Sequence, residues 1–570
     1  EHWSSRARSN RIVPPPLRTW FAAPNRVTLR ALPDAVVIGS GPNGLVAANC
    51  LADAGWSVVV VEANPSLGGA VRTAEVTLPG FRHDLFSAFY PLAVTSPAMT
   101  NLGLERYGLV WKHAPVVLAH PMLDGRCAAI SSDIDFTAAT LSTFSERDGD
   151  SWRSMIEAWQ RVSAPLLDTL FRPFPPITAG TRLVRSLGAL GSLRLARSAL
   201  LPIRRMADEL FTGEGARLLL GGNALHADLS PESAGSGLYG WLLACLAQTV
   251  GFPVPEGGAG ALTSALIARL TDRGGEVMCG TRVEGVIVRS GRACGVRTAT
   301  AGMLDARRAV IADVSAPALY HTLIDPAHLP ASLLEDVSRF EWDSATVKVD
   351  WALDAAIPWT AETARSSGTV HVADSFDNLT EFAAQIAMGQ LPSRPFLIMG
   401  QQSKADSTRS PAGTETAWAY THVPREVRLD AAEELAIVSE QTGSATWVDG
   451  FVDRIESRIE RLAPGFRAHI IGRHVASPQH LYDLDANLDG GAIGGGSAQM
   501  HQQAIFRPVP GSGRPETPIT SLYLASASTH PGGGVHGAGG RNAARAALSI
   551  FPRVRSVALG RGSVHRHSDH

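Results

Sequence analysis

Ala35-Val36-Val37-Ile38-Gly39-Ser40-Gly41-Pro42-Asn43-Gly44 runs from four apolar residues straight into a G-x-G-x-x-G turn. An uninterrupted apolar run of this kind predicts a strand buried on both faces of a parallel sheet. Behind the turn, Leu45, Ala48, Cys50, Leu51 and Ala52 recur at helical spacing until Gly55, and Ser57–Val61 reads as a second apolar strand ending on Glu62. Strand, glycine turn, helix and strand, closed by an acid, make a dinucleotide-binding unit. Gly39 admits the tight turn, Gly41 lets the backbone approach a pyrophosphate, and Gly44 allows close packing of helix on strand. The helix start offers unpaired N–H groups and a partial positive charge to the phosphates. Ser40, Pro42 and Asn43 fall in the same cradle. Glu62, followed by Ala63, can accept hydrogen bonds from both ribose hydroxyls, which favours an adenosine without a 2′-phosphate.

Three further glycine-rich stretches extend this reading. Six positions after Glu62 come Gly68-Gly69, then Ala70-Val71-Arg72. A pair without side chains lets the chain pass close to phosphates, and Arg72 brings a fork-shaped cation to the same region. Near the other end, Leu522–Ala525 reads as a strand, and Ser526–Pro531 and the glycine run of 532–540 lead into a helix at Arg541–Leu548. Strand, glycine turn and helix start again form a cradle that stabilises an anion. Mid-chain, Glu256-Gly257-Gly258 precedes an amphipathic helix ending at Arg273-Gly274-Gly275. The strands Glu276–Met278, Thr281–Val288 and Gly295–Thr298 and a closing strand Ala309–Ala312 are expected after it.

These blocks, in this order, resemble the phytoene desaturase-like flavoproteins of the amine oxidase and phytoene desaturase superfamily. Lys348-Val349-Asp350-Trp351, the run Trp418–Pro424 and Ile493-Gly494-Gly495-Gly496 add to the resemblance, which spans roughly 34–550. It implies an α/β fold: a Rossmann-type FAD-binding domain with a mixed-sheet substrate domain and helical cap. The FAD domain is expected over 34–94, 255–316 and 516–551, and the substrate domain over 95–254 and 317–515. The resemblance also sets the main chain of Val283 beside the adenine, and Ser528, Val535, His536 and Gly537 along the ribityl chain and flavin ring. His530 and His536, beside that turn, are candidates for shifting the flavin potential or moving a proton, with packing or capping as the alternative.

The implied chemistry is removal of hydride from an apolar, isoprenoid- or lipid-like substrate to the flavin. Such a step needs a dry, aligned pocket more than acid–base help. Leu-, Phe- and Pro-rich 95–250 and the strands of 340–425 are candidates to line it. Trp418, Tyr420 and His422 alternate as on a strand and share one face, toward substrate or core. Asp84 and Ser87, where the chain enters the cap, are left open in the same way. A second G-x-G-x-x-G between strand and helix is not found, so the expected electron acceptor is a quinone or oxygen. Two other readings stand beside this one: a flavoprotein fold serving as an interaction or regulatory protein, and an amine oxidase, which would require two aromatics framing the flavin face.

Composition narrows the class. Of 570 residues 45% are apolar and 18% charged, the balance of a globular chain with large cores. With 51 basic against 53 acidic residues there is no global basic field for nucleic acid. Five cysteines, at 50, 127, 245, 279 and 294, lack metal or redox spacing, which fits a reduced, intracellular compartment. Residues 1–33 are Arg-rich with one acid, as in a disordered leader or a mitochondrial transit peptide, and 552–570 read as a disordered tail. Cytoplasm or mitochondrion follows from which of these the leader is. The apolar run Leu238–Val250 is too short to span a bilayer and predicts a buried helix. Arg182–Arg205 alternates Leu with Arg, as in a helix lying on an anionic bilayer or an ordinary cap helix.

Overall fold

A computed structural model of the chain describes residues 32–437 and 447–550. The leader up to residue 31 and the tail expected at 552–570 lie outside the described residues. Five strands, β1 (Ala35–Ile38), β2 (Val58–Val61), β3 (Glu276–Met278), β4 (Ala309–Ala312) and β5 (Leu522–Leu524), form a parallel sheet in the order β5-β4-β1-β2-β3. Covered on both faces, the central strands have no polar side to present, hence the unbroken AVVI and VVVV. Three segments far apart in sequence thus share one sheet. Helices α1 (Pro42–Asp53), α2 (Gly260–Asp272) and α3 (Ala538–Ile550) complete the unit. Small residues let α1 and α3 close on the sheet: Ala47 and Ala48 meet Ala543, Ala544 and Ala547 around Ala35 and Val37. Val36, Ile38, Val59 and Val61 pack on the other side with an antiparallel sheet of 283–289, 292–298 and 302–305.

The last of those strands, Gly302–Asp305, was not expected. Only Leu304 of its four residues is buried, so no alternation marks it. Helix α3 also begins earlier than expected, at Ala538.

A second sheet of seven strands runs in the order 470–476, 345–353, 415–423, 397–400, 367–372, 116–121 and 127–130. Val347, Val349, Trp351, Ala417 and Ala419 point to one side, where they pack with Phe451, Ile455 and Ile459 of the helix Val448–Leu462. The alternate residues Thr346, Lys348, Trp418, Tyr420 and His422 point to the other side, toward the cap and the cavity described below. The cap includes helices Glu146–Leu170, Ile177–Leu200, Glu214–Leu225 and Ser236–Thr249. The last contains most of the expected buried segment, and Ile177–Leu200 exposes Leu190 and Leu193. No helix among the described residues is long and apolar enough to cross a membrane.

Asp84 and Arg409, both fully buried, join the two sheets' domains. Asp84 Oδ1 accepts from Thr73 Oγ1 at 2.8 Å and from the Ala259 N–H at 2.7 Å. Its Oδ2 accepts from Arg409 at 2.7 Å, and Arg409 also donates to Asp406 at 3.1 Å. Removing one partner of a buried ion pair strands the other charge in a medium that cannot solvate it. Asp84→Ala is therefore expected to lower unfolding free energy by about 3–5 kcal/mol in a denaturant titration, and a loss below about 1 kcal/mol would contradict this role.

Candidate functional site

At the start of α1 the backbone is packed until no Cβ fits. A methyl on Gly44 would lie 2.3 Å from Gly39 O, and one on Gly41 would lie 2.6 Å from Asp313 Oδ2. Gly39 has φ +91°, a conformation that favours glycine. Gly39, Gly41, Pro42 and Asn43 line a single cavity of about 1240 Å³, more than the roughly 300–1,000 Å³ of a site for one small ligand. Glu62, Ala63, Gly69, Ala70 and Val283 line it too, and so do Ser528, Val535 and His536.

Ser40, Gly44, Gly68 and Gly537 support this wall from behind. Ser40 donates to Glu62 Oε2 through its N–H (2.9 Å) and its hydroxyl (2.7 Å), while Asn64 N–H donates to Oε1 at 2.8 Å. Glu62 is thereby held at the cavity edge with acceptor capacity left for a ligand. Gly68 donates to Ser40 Oγ at 3.1 Å, and a methyl on Gly69 would lie 3.0 Å from Gly41 Cα. The second glycine pair packs against the first turn. Gly537, with φ +67°, packs against Val46 of α1.

Arg72 does not supply a cation to the cavity, contrary to the expectation. Its guanidinium donates to Gly69 O, Ser66 Oγ and Leu484 O, each at 2.8 Å, and stacks over Phe86. Those contacts fasten the Ser66–Gly69 turn to the end of the helix Pro478–Leu484. His530 is likewise off the cavity wall, edge-on to Phe174 at 5.9 Å, and burial pushes its pKa down to about 4. His536 does line the cavity, as a neutral cap: its Nδ1 accepts from the Ala538 N–H at 3.0 Å, so its Nε2–H donates to Gly532 O at 3.2 Å. Burial holds it near 4 as well, so it carries no charge at neutral pH.

Two carboxylates were missed. Asp313 follows β4, and its Oδ2 accepts from the Gly44 N–H at 2.7 Å. Its place at the C-terminal end of a parallel strand was a readable signal. Asp485, directly after the helix Pro478–Leu484 that follows the strand 470–476, had none. Burial pushes Asp313 up to about 7, against the Gly44 N–H and with help from Asp485 and Glu62. Arg507, a cation, is another residue that the sequence left unmarked. Fully buried, it donates to the carbonyls of Gly495, Gly496, Ser497 and Ala527, which ties the 494–497 loop to the 526–528 turn.

Residues 37–102 match the family described as NAD(P)-binding Rossmann-like domain. The chain is 29% identical over 557 residues to pyridine nucleotide-disulfide oxidoreductase domain-containing protein 2 of Rattus norvegicus, covering 90% of this chain and 92% of that protein. It is 27% identical over 528 residues to a neurosporene-forming phytoene desaturase of Rhodobacter capsulatus, covering 88% and 91%. The chain is thus similar over most of its length to phytoene desaturases. A lycopene-forming phytoene desaturase of Pseudescherichia vulneris, 25% identical over 90% of this chain and 98% of its own, is another relative. Among solved structures, putrescine oxidase bound to putrescine (TM-score 0.55, 15% identity, 92% and 100% coverage) and cyclohexylamine oxidase of Brevibacterium oxydans (0.53, 16%, 92% and 100%) share the fold. The chain thus carries a dinucleotide-binding Rossmann domain beside a mixed sheet. Its five cysteines are unpaired, and burial pushes the thiols of Cys50 and Cys127 up to about 11 and about 12, which suppresses the thiolates that disulfide exchange needs.

Two outcomes follow from this geometry. Gly41→Val places a branched side chain against Asp313 and in the cradle, so dinucleotide bound per purified chain should fall to near zero; full loading would contradict the cradle. For Asp313, an unfolded-chain pKa near 4 raised to about 7 on folding means that stability falls as pH rises through that window. Asp313→Asn keeps an acceptor for Gly44 and removes the charge. Its melting temperature should exceed the parent's at pH 8, with the gain vanishing toward pH 4; a lower value at pH 8 would contradict the assignment.

Proposed function

We propose that the protein is an FAD-dependent oxidoreductase that takes hydride from an apolar, isoprenoid- or lipid-like substrate. The carrying observation is one continuous cavity that passes from Glu62, along Gly41 and the turn at Gly533–His536, into a chamber of Leu and aromatic side chains. Its fit to a dinucleotide longer than one nucleotide rests on the glycine cradle at one end and the second glycine turn further on. FAD, when bound, supplies a hydride acceptor; the chain supplies position and environment.

Each wall has a task. Gly39, Gly41 and the start of α1 would hold the pyrophosphate, Glu62 the ribose, and Val283 the adenine side. Ser528 and Val535 would lie along the remainder. Leu166, Leu170, Leu238, Leu242, Phe252 and Ile398 exclude water from the substrate end, where a hydrocarbon must be aligned. Neutral His536 fixes the turn without adding charge. A quinone or oxygen remains the proposed final acceptor.

The apolar reading is favoured over an amine oxidase by the arrangement of Trp418 and Tyr420, two of the three residues that strand alternation sets on one face. Trp418 and Tyr420 stack on each other, 5.9 Å apart and 20° from parallel, as neighbours on one strand. They leave no slot between them for an amine.

Anaerobic mixing of the coloured protein with substrates tests this. Lipophilic alkenes should bleach the visible flavin band and putrescine should not; bleaching by putrescine alone would overturn the proposal.

A further inference from the structure

The substrate end of the cavity has a polar corner that a hydrocarbon would leave unmet. Strands 345–353 and 415–423 pair with Thr346 opposite His422 and Lys348 opposite Tyr420, so all four side chains share the cavity-facing side. Lys348 is already engaged by Asp350, and Asp350 is flanked by His83 and His474 at 3.5 and 3.6 Å. His422 is not engaged in that way. Its Nδ1 lies 3.4 Å from Thr346 Oγ1, and its buried Nε2 has no hydrogen-bond partner among the described residues.

Asp228 comes to the same corner from the cap, just past the helix Glu214–Leu225. It has φ +54°, a conformation that few residues other than Gly, Asn and Asp adopt readily. One carboxylate oxygen accepts from the Ser344 N–H at 2.6 Å. Burial raises its pKa, an effect that nearby His422 opposes. Tyr420, ring to ring with His422 at 5.7 Å, completes the corner. His226, also on the wall, is held by His371 with Nε2 to Nε2 at 2.8 Å.

A buried donor or acceptor without a partner is costly, and a cavity-facing one recovers that cost by pairing with a ligand. We propose that His422 and Asp228 bind a hydroxyl group carried by an otherwise apolar substrate. The hydroxyl hydrogen is donated to Asp228, and the hydroxyl oxygen accepts from Nε2–H of His422, whose Nδ1 faces the Thr346 hydroxyl. An alcohol satisfies both side chains at once. A carboxylate would be set against Asp228, an ammonium offers nothing to an Nε2–H donor, and a hydrocarbon satisfies neither. This inference rests on reading the chamber as the substrate end of the proposed oxidoreductase.

The test uses the protein as purified and four probes with one carbon skeleton: farnesol, farnesene, farnesylamine and farnesoic acid. Binding is read from the shift in thermal unfolding midpoint across a concentration series, and flavin reduction is recorded separately. Farnesol should bind at least tenfold more tightly than farnesene. That ratio should fall toward one in His422→Leu, fall only in part in Asp228→Asn, which suits the positive φ and keeps a weaker, uncharged acceptor, and partly return in His422→Gln. Equal affinities, preference for the amine or acid, no binding by any probe, or an unchanged ratio in His422→Leu would overturn the proposal. Farnesol binding without any flavin reduction would sink the redox reading and leave this site standing. Bleaching by farnesene and farnesol alike, with equal affinity, would do the reverse.

Discussion

The structure depends on how closely the backbone closes around the start of α1. A methyl on Gly540 would lie 1.8 Å from Asn43 O, and methyls on Gly44 and Gly41 would strike Gly39 and Asp313. At these separations side chains are excluded and main-chain groups are left to meet a ligand. The same packing decides which segments meet. Helix α3, from near the end of the chain, approaches α1 through its glycines and alanines, so β5 and the turn before α3 arrive beside the first glycine turn. The dinucleotide cradle and the contact between α1 and α3 are one packing event.

Buried polar bonds carry that order outward. Asp84 and Arg409 tie the cap entry and the start of α2 to the second sheet. Arg72 locks the turn at Ser66–Gly69 to Leu484, and Arg507 locks the 494–497 loop to the 526–528 turn. Each of these arginines spends its guanidinium on carbonyls, hydroxyls or carboxylates of the chain itself. In the low-dielectric interior they are fasteners between segments that lie around the cavity. Asp313 and Asp485 work against this packing: burial, helped by the nearby charge of Glu62, drives both toward protonation.

Much of the fold was legible because its signals are local. The apolar run before Gly39, the helical spacing after Gly44 and the acid at position 62 sit within one supersecondary unit. Gly532–Gly540 announced a second turn and helix by composition alone. The alternation of Trp418, Tyr420 and His422 marked one face of a strand, but sequence left open which way that face turned. What failed to show in sequence depends on tertiary contact. Arg72 reads as a phosphate ligand beside Gly69, and only the approach of Leu484, more than four hundred residues on, turns it into a fastener. Asp485 and Asp228 reach the cavity just past the ends of the helices Pro478–Leu484 and Glu214–Leu225, at positions no periodicity encodes. Edge strand Gly302–Asp305 was silent because three of its four residues face water.

The central claim is that the cavity holds FAD against the glycine turn and Glu62. Heat denaturation of the freshly purified protein, with identification of the small molecules released, tests it most directly. The account predicts close to one FAD per chain, with none released by the Gly41→Val variant. Release of a nicotinamide dinucleotide instead, or a colourless protein that takes up no added FAD, would contradict it.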